Sequence, residues 1–299
     1  MPATTPFTHP SRYPTYWREV QERVRADIHP GTGTHTILFA HGLGGSTEFW
    51  ESVDSSRDLR GATLVRLNFL DHGPSEDERD LDRLWAKGDP ARYPNPMEAF
   101  ADQLEEVFRE VQGNGTVHIV SHSMGTVPAL ILLSRLRRDG IPFNGRFISI
   151  EGNLTEADCG LASRKIAAMA PSFADYEGGD DHPLYTFHER LGTSRHRAER
   201  LWGMNMRFCW PPFLVRAAED LVQWCDSGRA AALWEEVDNP VYFYGELTGF
   251  PEHNRRLLAA ATVVEVPGSG HFPMIDSPHS LWPEVARTIN STRRPRSPA

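Results

Sequence analysis

A serine stands at the sharpest turn that the sequence predicts. Residues 117–133 read VHIVSHSMGTVPALILL, in which a short β-branched run passes almost without a gap into a helix-like apolar run. A strand that turns at once into a helix holds its corner residue, Ser123, out from the carboxyl end of the sheet, where α/β folds place their sites. The free N–H groups at the helix start, that of Met124 first, can bind a developing negative charge. The pattern predicts an exposed nucleophile with an anion donor beside it.

Small residues flank this corner, as its geometry requires. The backbones of the strand and the helix nearly touch there, and Ser121 and Gly125 leave the necessary room. A simpler interpretation is that Ser123 only caps the helix N-terminus. The catalytic interpretation needs a second group, because a free hydroxyl is a poor nucleophile at neutral pH and requires a base.

His271 is the candidate base. The segment VEVPGSGHFPMIDSP runs from a predicted strand into a Gly-rich loop that presents this histidine. The chain has 13 histidines, so residue type alone does not select one. The position of His271, directly after the last predicted strand, does select it. A serine with a histidine base is the pair that acyl-transfer enzymes use.

Predicted strands and helices alternate around these residues. The strands are expected at Thr36–Ala40, Thr63–Asn68, Val117–Ser121, Arg146–Ile150, Val241–Tyr244 and Thr262–Val266. The helices are expected at Pro96–Val111, capped by Asn95, and near Gly125–Arg138 and Ser280–Thr292. Residues 17–28 suit either a helix or an edge strand. Near-continuous apolar strands alternating with helices predict an α/β fold with a mostly parallel sheet covered on both faces.

One long segment interrupts this alternation. About ninety residues between Ile150 and Val241 have no convincing strand, and a connection of that length does not lack structure of its own. We expect a helical cap at 152–238, inserted into a core formed by 1–151 and 239–299. Its tryptophans, among them the candidate substrate-binding residues Trp202, Trp210 and Trp224, either line an apolar pocket or only pack the cap onto the sheet.

The strand–SHSMG–helix unit resembles the nucleophile elbow of the α/β-hydrolase family. The family pattern is G-x-S-x-G, and here Ser121 replaces the first glycine. The resemblance implies that Ser123 is the nucleophile and that His271, which follows it in the family order, is the base. In the segment HGLGG after the first strand, it also implies that the N–H of Leu43 completes an oxyanion hole with Met124. His41 is expected to act as a structural hydrogen-bonding group.

The acid of the triad departs from the usual family position. That position follows the penultimate strand, where this chain reads GELT and has Thr248, which cannot stabilise an imidazolium as a carboxylate does. Another branch, which includes some haloalkane dehalogenases and coelenterazine luciferases, has a glutamate at the end of the strand before the cap. Here that residue is Glu151. Glu246 is the next candidate, and Glu151 could instead be a hinge or capping residue.

A serine nucleophile implies acyl chemistry. The sequence therefore predicts a serine hydrolase that cleaves a mainly apolar carboxylic ester, lactone or thioester through an acyl-enzyme. A C–C bond hydrolase or an acyltransferase with the same triad is an alternative, as is a small-molecule binding protein on a hydrolase scaffold. We expect no cofactor and no metal, because no ligand cluster such as H-E-x-x-H is present.

The composition limits the classes of molecule that the protein is expected to bind. With 31 Lys and Arg against 40 Asp and Glu, the net charge of −9 argues against nucleic acid and anionic membranes. No apolar stretch reaches the roughly 18–20 residues of a membrane span. The N-terminus lacks signal-peptide features, and three cysteines form no framework, so we expect a cytoplasmic enzyme acting on a small molecule. The sequence does not determine its oligomeric state.

Overall fold

The computed structural model describes residues 26–73, 94–160, 162–173 and 182–291 of the 299-residue chain. Within these ranges, short β-branched and aromatic runs form a seven-stranded sheet whose strands are β1 (Ala26–His29), β2 (His35–Ala40), β3 (Thr63–Leu67), β4 (Thr116–His122), β5 (Phe147–Ile150), β6 (Val241–Gly245) and β7 (Thr262–Val266). All six predicted strands are present, and none of their ends differs by more than one residue. The seventh, β1, comes from the end of the ambiguous segment 17–28, whose residues 17–25 lie outside the described ranges.

The helices of the described residues are α1 (Pro96–Val111), α2 (Thr126–Arg138), α3 (Ser163–Ala167), α4 (Pro183–Gly192), α5 (Arg197–Met206), α6 (Pro211–Asp226), α7 (Arg229–Glu235), α8 (Arg255–Leu258), α9 (Pro273–Asp276) and α10 (Pro278–Asn290). Short 3-10 turns lie at Thr47–Ser55, Gln112–Asn114, Ser123–Gly125, Glu156–Cys159, Ala170–Phe173 and Glu252–Asn254. The predicted helix at Pro96–Val111 is confirmed at both ends.

The sheet is mostly parallel, as predicted. Its strand order is β1-β3-β2-β4-β5-β6-β7. The pair β1 and β3 is antiparallel, and the remaining five pairs are all parallel. His122 at the end of β4 is paired with Ile150 at the end of β5, which is paired in turn with Phe243 of β6. Residues that follow these strands therefore meet at one edge of the sheet.

Side chains that alternate along the strands build a core on each face of the sheet. On β2, Leu38 belongs to the core that packs against α1, α2, α6 and α7. Its neighbours Ile37 and Phe39 belong to the other core, together with Trp50 of the 3-10 turn at 47–55 and Trp282 of α10. Both faces are covered, which explains why the strands are apolar on both sides.

The N-terminus of α1 is capped by a residue distant in sequence. Asn95 occupies the N-cap position, but its side chain makes no capping hydrogen bond, so that prediction was wrong. The backbone N–H of Met97 instead donates to Asp220 Oδ2 of α6 at 2.9 Å. Burial raises the pKa of Asp220, and this hydrogen bond is the largest opposing contribution. The contact ties α6 to a core helix.

The described residues between β5 and β6 form helices and turns and include no strand. Helices α3 to α7 all fall in this stretch, and α6 is the longest of them, with 16 residues. Across the described ranges, no helix is both long and apolar enough to cross a membrane.

Candidate active site

Ser123 lies at a strained corner between β4 and the turn that leads into α2. Its φ is +49°, in the left-handed region that residues with a Cβ rarely adopt. The close packing behind it leaves no alternative: a Cβ on Gly125 would lie 2.4 Å from the carbonyl oxygen of Ala40. From this corner the serine side chain reaches Asn153, in the segment that follows β5.

Ser121 is accommodated by a buried chain of hydroxyls. Its Oγ lies 3.0 Å from Thr126 Oγ1, which lies 2.9 Å from Ser149 Oγ. Ser121 is fully buried, so its hydroxyl needs these partners. The serine at the first position of SHSMG thus links β4, β5 and α2, and the departure from glycine is compatible with the corner.

The hydroxyl of Ser123 has a partner that the sequence did not indicate. It donates to Asn153 Oδ1 at 3.1 Å, and the backbone N–H of Asn153 lies 3.4 Å from the carbonyl oxygen of Ser123. The amide group of Asn153 is oriented by its Nδ2, which donates to the carbonyl of Asp158 at 3.0 Å. Asn153 is buried, so this acceptor is fixed beside the serine.

Glu151 and His271 form a hydrogen bond at the same edge. His271 Nδ1 lies 3.2 Å from Glu151 Oε2, and because a carboxylate accepts, this contact selects the tautomer of the neutral imidazole that has its proton on Nδ1 and a free lone pair on Nε2. The other carboxylate oxygen accepts from the backbone N–H of Gly245 at 2.7 Å. Glu151 is 8% exposed and has a φ of +50°. Two donors and a constrained backbone fix this carboxylate.

Glu246 has a different environment. Its Oε2 accepts from the backbone N–H of Gly268 at 2.8 Å, and its side chain is exposed. Thr248, the residue at the usual acid position, is also exposed. In this structure the carboxylate that contacts His271 belongs to Glu151.

His122 forms a hydrogen bond to the backbone of the proposed base, His271. Its Nε2–H donates to the backbone carbonyl of His271 at 2.8 Å, and the two imidazole rings lie 4.9 Å apart. Burial lowers the pKa of His122 well below its usual value, and the charge of His271 lowers it further. A neutral His122 therefore positions the loop of His271, a role for which the sequence offered no signal.

The HGLGG segment packs directly against the serine. A Cβ on Gly42 would lie 3.0 Å from Ser123 Cβ, so the Gly42–Leu43 peptide borders the corner. His41 accepts from the N–H of Phe69 through Nε2 at 3.1 Å, and its Nδ1–H donates to the carbonyl of Gly42 at 2.8 Å. Burial, with His72 as the next contribution, lowers the pKa of His41. His41 thus has the structural role expected for it.

The three candidate tryptophans differ in environment. Trp202 of α5 is half-buried, and its indole N–H donates to the carbonyl of Leu43 at 2.8 Å. Trp210 is buried at the N-cap of α6. Trp224 is buried within α6, with the guanidinium of Arg229 3.9 Å above its ring.

Among the described residues, no group of three or more His, Cys, Asp or Glu side chains is arranged to hold a metal ion. The polar groups at the carboxyl edge are instead a hydroxyl, an imidazole and a carboxylate on adjoining segments. This set can transfer protons and carry out nucleophilic attack.

A family model described as the alpha/beta hydrolase family matches residues 37–282, which include every element of this site. The chain belongs to the alpha/beta hydrolase family. LipZ of Mycobacterium tuberculosis, a protein classed by name among the hydrolases, is 25% identical over 287 residues, covering 88% of this chain and 91% of LipZ.

Solved structures show the same fold at low identity. A hydrolase from Oleispira antarctica superposes with a TM-score of 0.67 and 14% identity, covering 92% of this chain and 97% of its own. The N-acyl homoserine lactonase AidH, solved with N-butanoyl homoserine, superposes with a TM-score of 0.62 and 14% identity, covering 90% and 94%. At this level of identity the likeness establishes the fold.

Proposed function

We propose that this alpha/beta hydrolase is a serine hydrolase that cleaves a mainly apolar carboxylic ester, lactone or thioester through an acyl-enzyme. The observation that carries the proposal is the hydrogen bond from His271 to the buried carboxylate of Glu151, on the sheet edge where Ser123 follows the neighbouring strand. A base with a fixed tautomer on the same sheet edge as a strained serine is the arrangement that acyl transfer uses. The lactonase and hydrolase names of the similar proteins support the same class of bond.

In the proposed mechanism, His271 Nε2 takes the proton of Ser123 as its Oγ attacks the substrate carbonyl carbon. The N–H groups of Leu43 and Met124 bind the oxyanion of the tetrahedral intermediate. The intermediate collapses when the bond to the leaving oxygen or sulfur breaks and His271 returns the proton to that atom. Water then attacks the acyl group by the reverse roles, which releases the acid and restores Ser123.

Asn153 determines the orientation of the Ser123 hydroxyl in the enzyme without substrate. Its Oδ1 accepts a hydrogen bond from the Ser123 hydroxyl, so the O–H of the serine points toward Asn153 before substrate binds. We propose that the serine rotates toward His271 when the substrate carbonyl enters. The rotation is proposed to be about the Cα–Cβ bond of Ser123, while the packing of Gly125 against β2 holds the backbone of the corner.

We propose further that residues 152–238 form a cap over this edge, with a core of 1–151 and 239–299. The helical content of this stretch and the contact of Trp202 with Leu43 support it. Trp202, Trp210 and Trp224 are proposed to line an apolar acyl site. Trp210→Ala and Trp224→Ala should then alter chain-length preference more than the rate on an acetate ester. An unchanged preference profile in both variants would leave these tryptophans a packing role.

A substrate panel tests the proposed function. The purified protein and Ser123→Ala are assayed with p-nitrophenyl esters, lactones and acyl thioesters of increasing chain length. We expect turnover on at least one class, an initial burst with activated esters, and a loss on the order of a million-fold in Ser123→Ala. A protein that binds these compounds without any burst or turnover would be a binding protein on this fold, and the proposal would be wrong.

A further inference from the structure

The helix α5 contacts the HGLGG segment (residues 41–45), the loop proposed to supply an oxyanion donor, through a directed hydrogen bond. The indole N–H of Trp202 donates to the carbonyl oxygen of Leu43 at 2.8 Å, across 159 positions of sequence. The next residue, Gly44, has a φ of +67°, and a Cβ there would lie 2.5 Å from Met206 Cγ and 2.9 Å from Trp202 Nε1. The backbone of the loop is therefore in contact with side chains of the helix.

This bond constrains the orientation of the proposed oxyanion donor. The carbonyl that Trp202 binds and the N–H proposed to bind the oxyanion belong to the same residue, Leu43, on either side of its Cα. On the N-terminal side, the carbonyl of Gly42 accepts from His41 at 2.8 Å and from the N–H of Gly45 at 3.0 Å. One end of the Leu43 unit is thus held by the core, and the other end by α5.

The same indole also contacts the loop of the proposed base. Its ring lies 5.8 Å from that of Phe272, the residue after His271, and 5.9 Å edge-to-face from that of Phe187 of α4. These aromatic contacts do not depend on the indole N–H. Packing and donation by Trp202 can therefore be separated by substitution.

We propose that Trp202 is a positioning residue through which the segment 152–238 aligns the Leu43 N–H of the oxyanion hole. The inference rests on the proposed serine hydrolase function. Its physical basis is that oxyanion stabilisation depends on donors already aimed at the position of the developing charge, so a small rotation of the Leu43 unit weakens it. Trp202 acts on the transition state through Leu43, and contact with the substrate is not required.

The test uses Trp202→Phe, which keeps an aromatic ring and removes the donor. Trp234→Phe is the matched control, because the indole of Trp234 in α7 also donates to a backbone carbonyl, that of Leu257 at 3.2 Å. For both variants, kcat and KM are measured on p-nitrophenyl acetate, together with the rate constant for inactivation by a fluorophosphonate, whose P=O group also uses the oxyanion hole. Denaturation midpoints report folding.

For Trp202→Phe we expect kcat to fall at least about tenfold with KM little changed, since loss of a whole oxyanion donor costs roughly a hundredfold or more. The fluorophosphonate rate constant should fall by the same factor. Trp234→Phe should keep both rates within about twofold of the parent. If Trp202→Phe does not fold, 3-benzothienylalanine at position 202, which has sulfur in place of the N–H, provides the same test.

Four results would overturn the proposal. One is a change confined to KM, which would leave Trp202 only its proposed place in the acyl site and no effect on the oxyanion donor. Another is an equal loss of kcat in Trp234→Phe, which would indicate a general effect of indole removal. The third is a parent-like rate in Trp202→Phe while the parent is labelled at Ser123, which would reject the positioning role and leave the proposed function intact. Failure of the parent itself to be labelled at Ser123 would reject both.

Discussion

Replacing Glu151 by glutamine probes the proposed triad with a minimal change of shape. In the structure, one oxygen of Glu151 accepts from Gly245 N–H at 2.7 Å and the other accepts from His271 Nδ1 at 3.2 Å. An amide has only one oxygen, so Glu151→Gln can satisfy only one of these donors. Either the Gly245 N–H faces an NH₂ group, or the His271 Nδ1 does.

The backbone donor is the more rigid of the two, and we expect the amide oxygen to stay with Gly245. The NH₂ group then faces His271 Nδ1, which favours the tautomer with the proton on Nε2. That tautomer cannot accept the serine proton, and the imidazolium formed during attack has no carboxylate to stabilise it. Together these effects correspond to a loss of roughly three to four orders of magnitude in kcat, or about 4–5.5 kcal/mol in the barrier.

The assay is steady-state turnover of the best p-nitrophenyl ester, with the denaturation midpoint measured in parallel to confirm folding. Glu246→Gln is the matched control, because Glu246 also accepts from a backbone N–H, that of Gly268 at 2.8 Å, but is exposed. We expect its kcat to stay within a few-fold of the parent. An inactive Glu246→Gln beside a nearly normal Glu151→Gln would return the acid to the penultimate strand and refute the assignment.

Three further perturbations have defined outcomes. Asn153→Asp places a carboxylate at the 3.1 Å contact with Ser123 Oγ. We expect kcat/KM at pH 8 to fall about a hundredfold or more, because the carboxylate holds the serine hydroxyl more strongly and repels the oxyanion that forms on the carbon Ser123 attacks; a parent-like value would exclude such proximity during turnover. Burial lowers the pKa of His188 to about 4, so as pH drops the unfolded chain takes up the proton before the folded protein does. The free energy of unfolding should therefore fall between about pH 6.5 and about pH 4, with about 3 kcal/mol of the fall coming from this residue. The same pH dependence of stability in His188→Phe would contradict this. Gly125→Ala, whose Cβ would lie 2.4 Å from the carbonyl of Ala40, should lower the melting temperature and the turnover, whereas retention of both would show that the corner can relax.

The sheet and the proposed corner were accessible to sequence reasoning because their signals are local. Short β-branched runs mark the strands, and in SHSMG the lack of residues between strand and helix leaves a single sharp geometry. Glu151 could be chosen over Glu246 by its place at the end of β5, and in the structure it is Glu151 that contacts His271. The first features depend on residue spacing, and the choice of Glu151 depends also on the resemblance to family members that have a glutamate before the cap.

Contacts between segments distant in sequence could not be predicted in the same way. Asn95 satisfied the local rule for a helix cap, yet the acceptor at Met97 comes from Asp220, about 120 residues later. Asn153 and His122 likewise have no distinguishing pattern, since their roles arise only when β4, β5 and the loop after β7 are packed together.

The tryptophans illustrate the same limit within one segment. Helical periodicity indicates which residues face inward, but it does not indicate what each helix packs against. Trp202 and Trp224 were equivalent candidates in the sequence. In the structure one donates to the carbonyl of Leu43 and the other lies beneath Arg229.

The central claim is that hydrolysis proceeds through an acyl group on Ser123, and rapid acid quenching of a turnover reaction tests it most directly. The enzyme is mixed with its best p-nitrophenyl ester, quenched within the burst, digested and analysed by mass spectrometry. We predict one acyl adduct, on the peptide that contains Ser123, in an amount that matches the burst of p-nitrophenol and is absent from Ser123→Ala. Steady turnover without an adduct, or with undiminished rate in Ser123→Ala, would contradict the account.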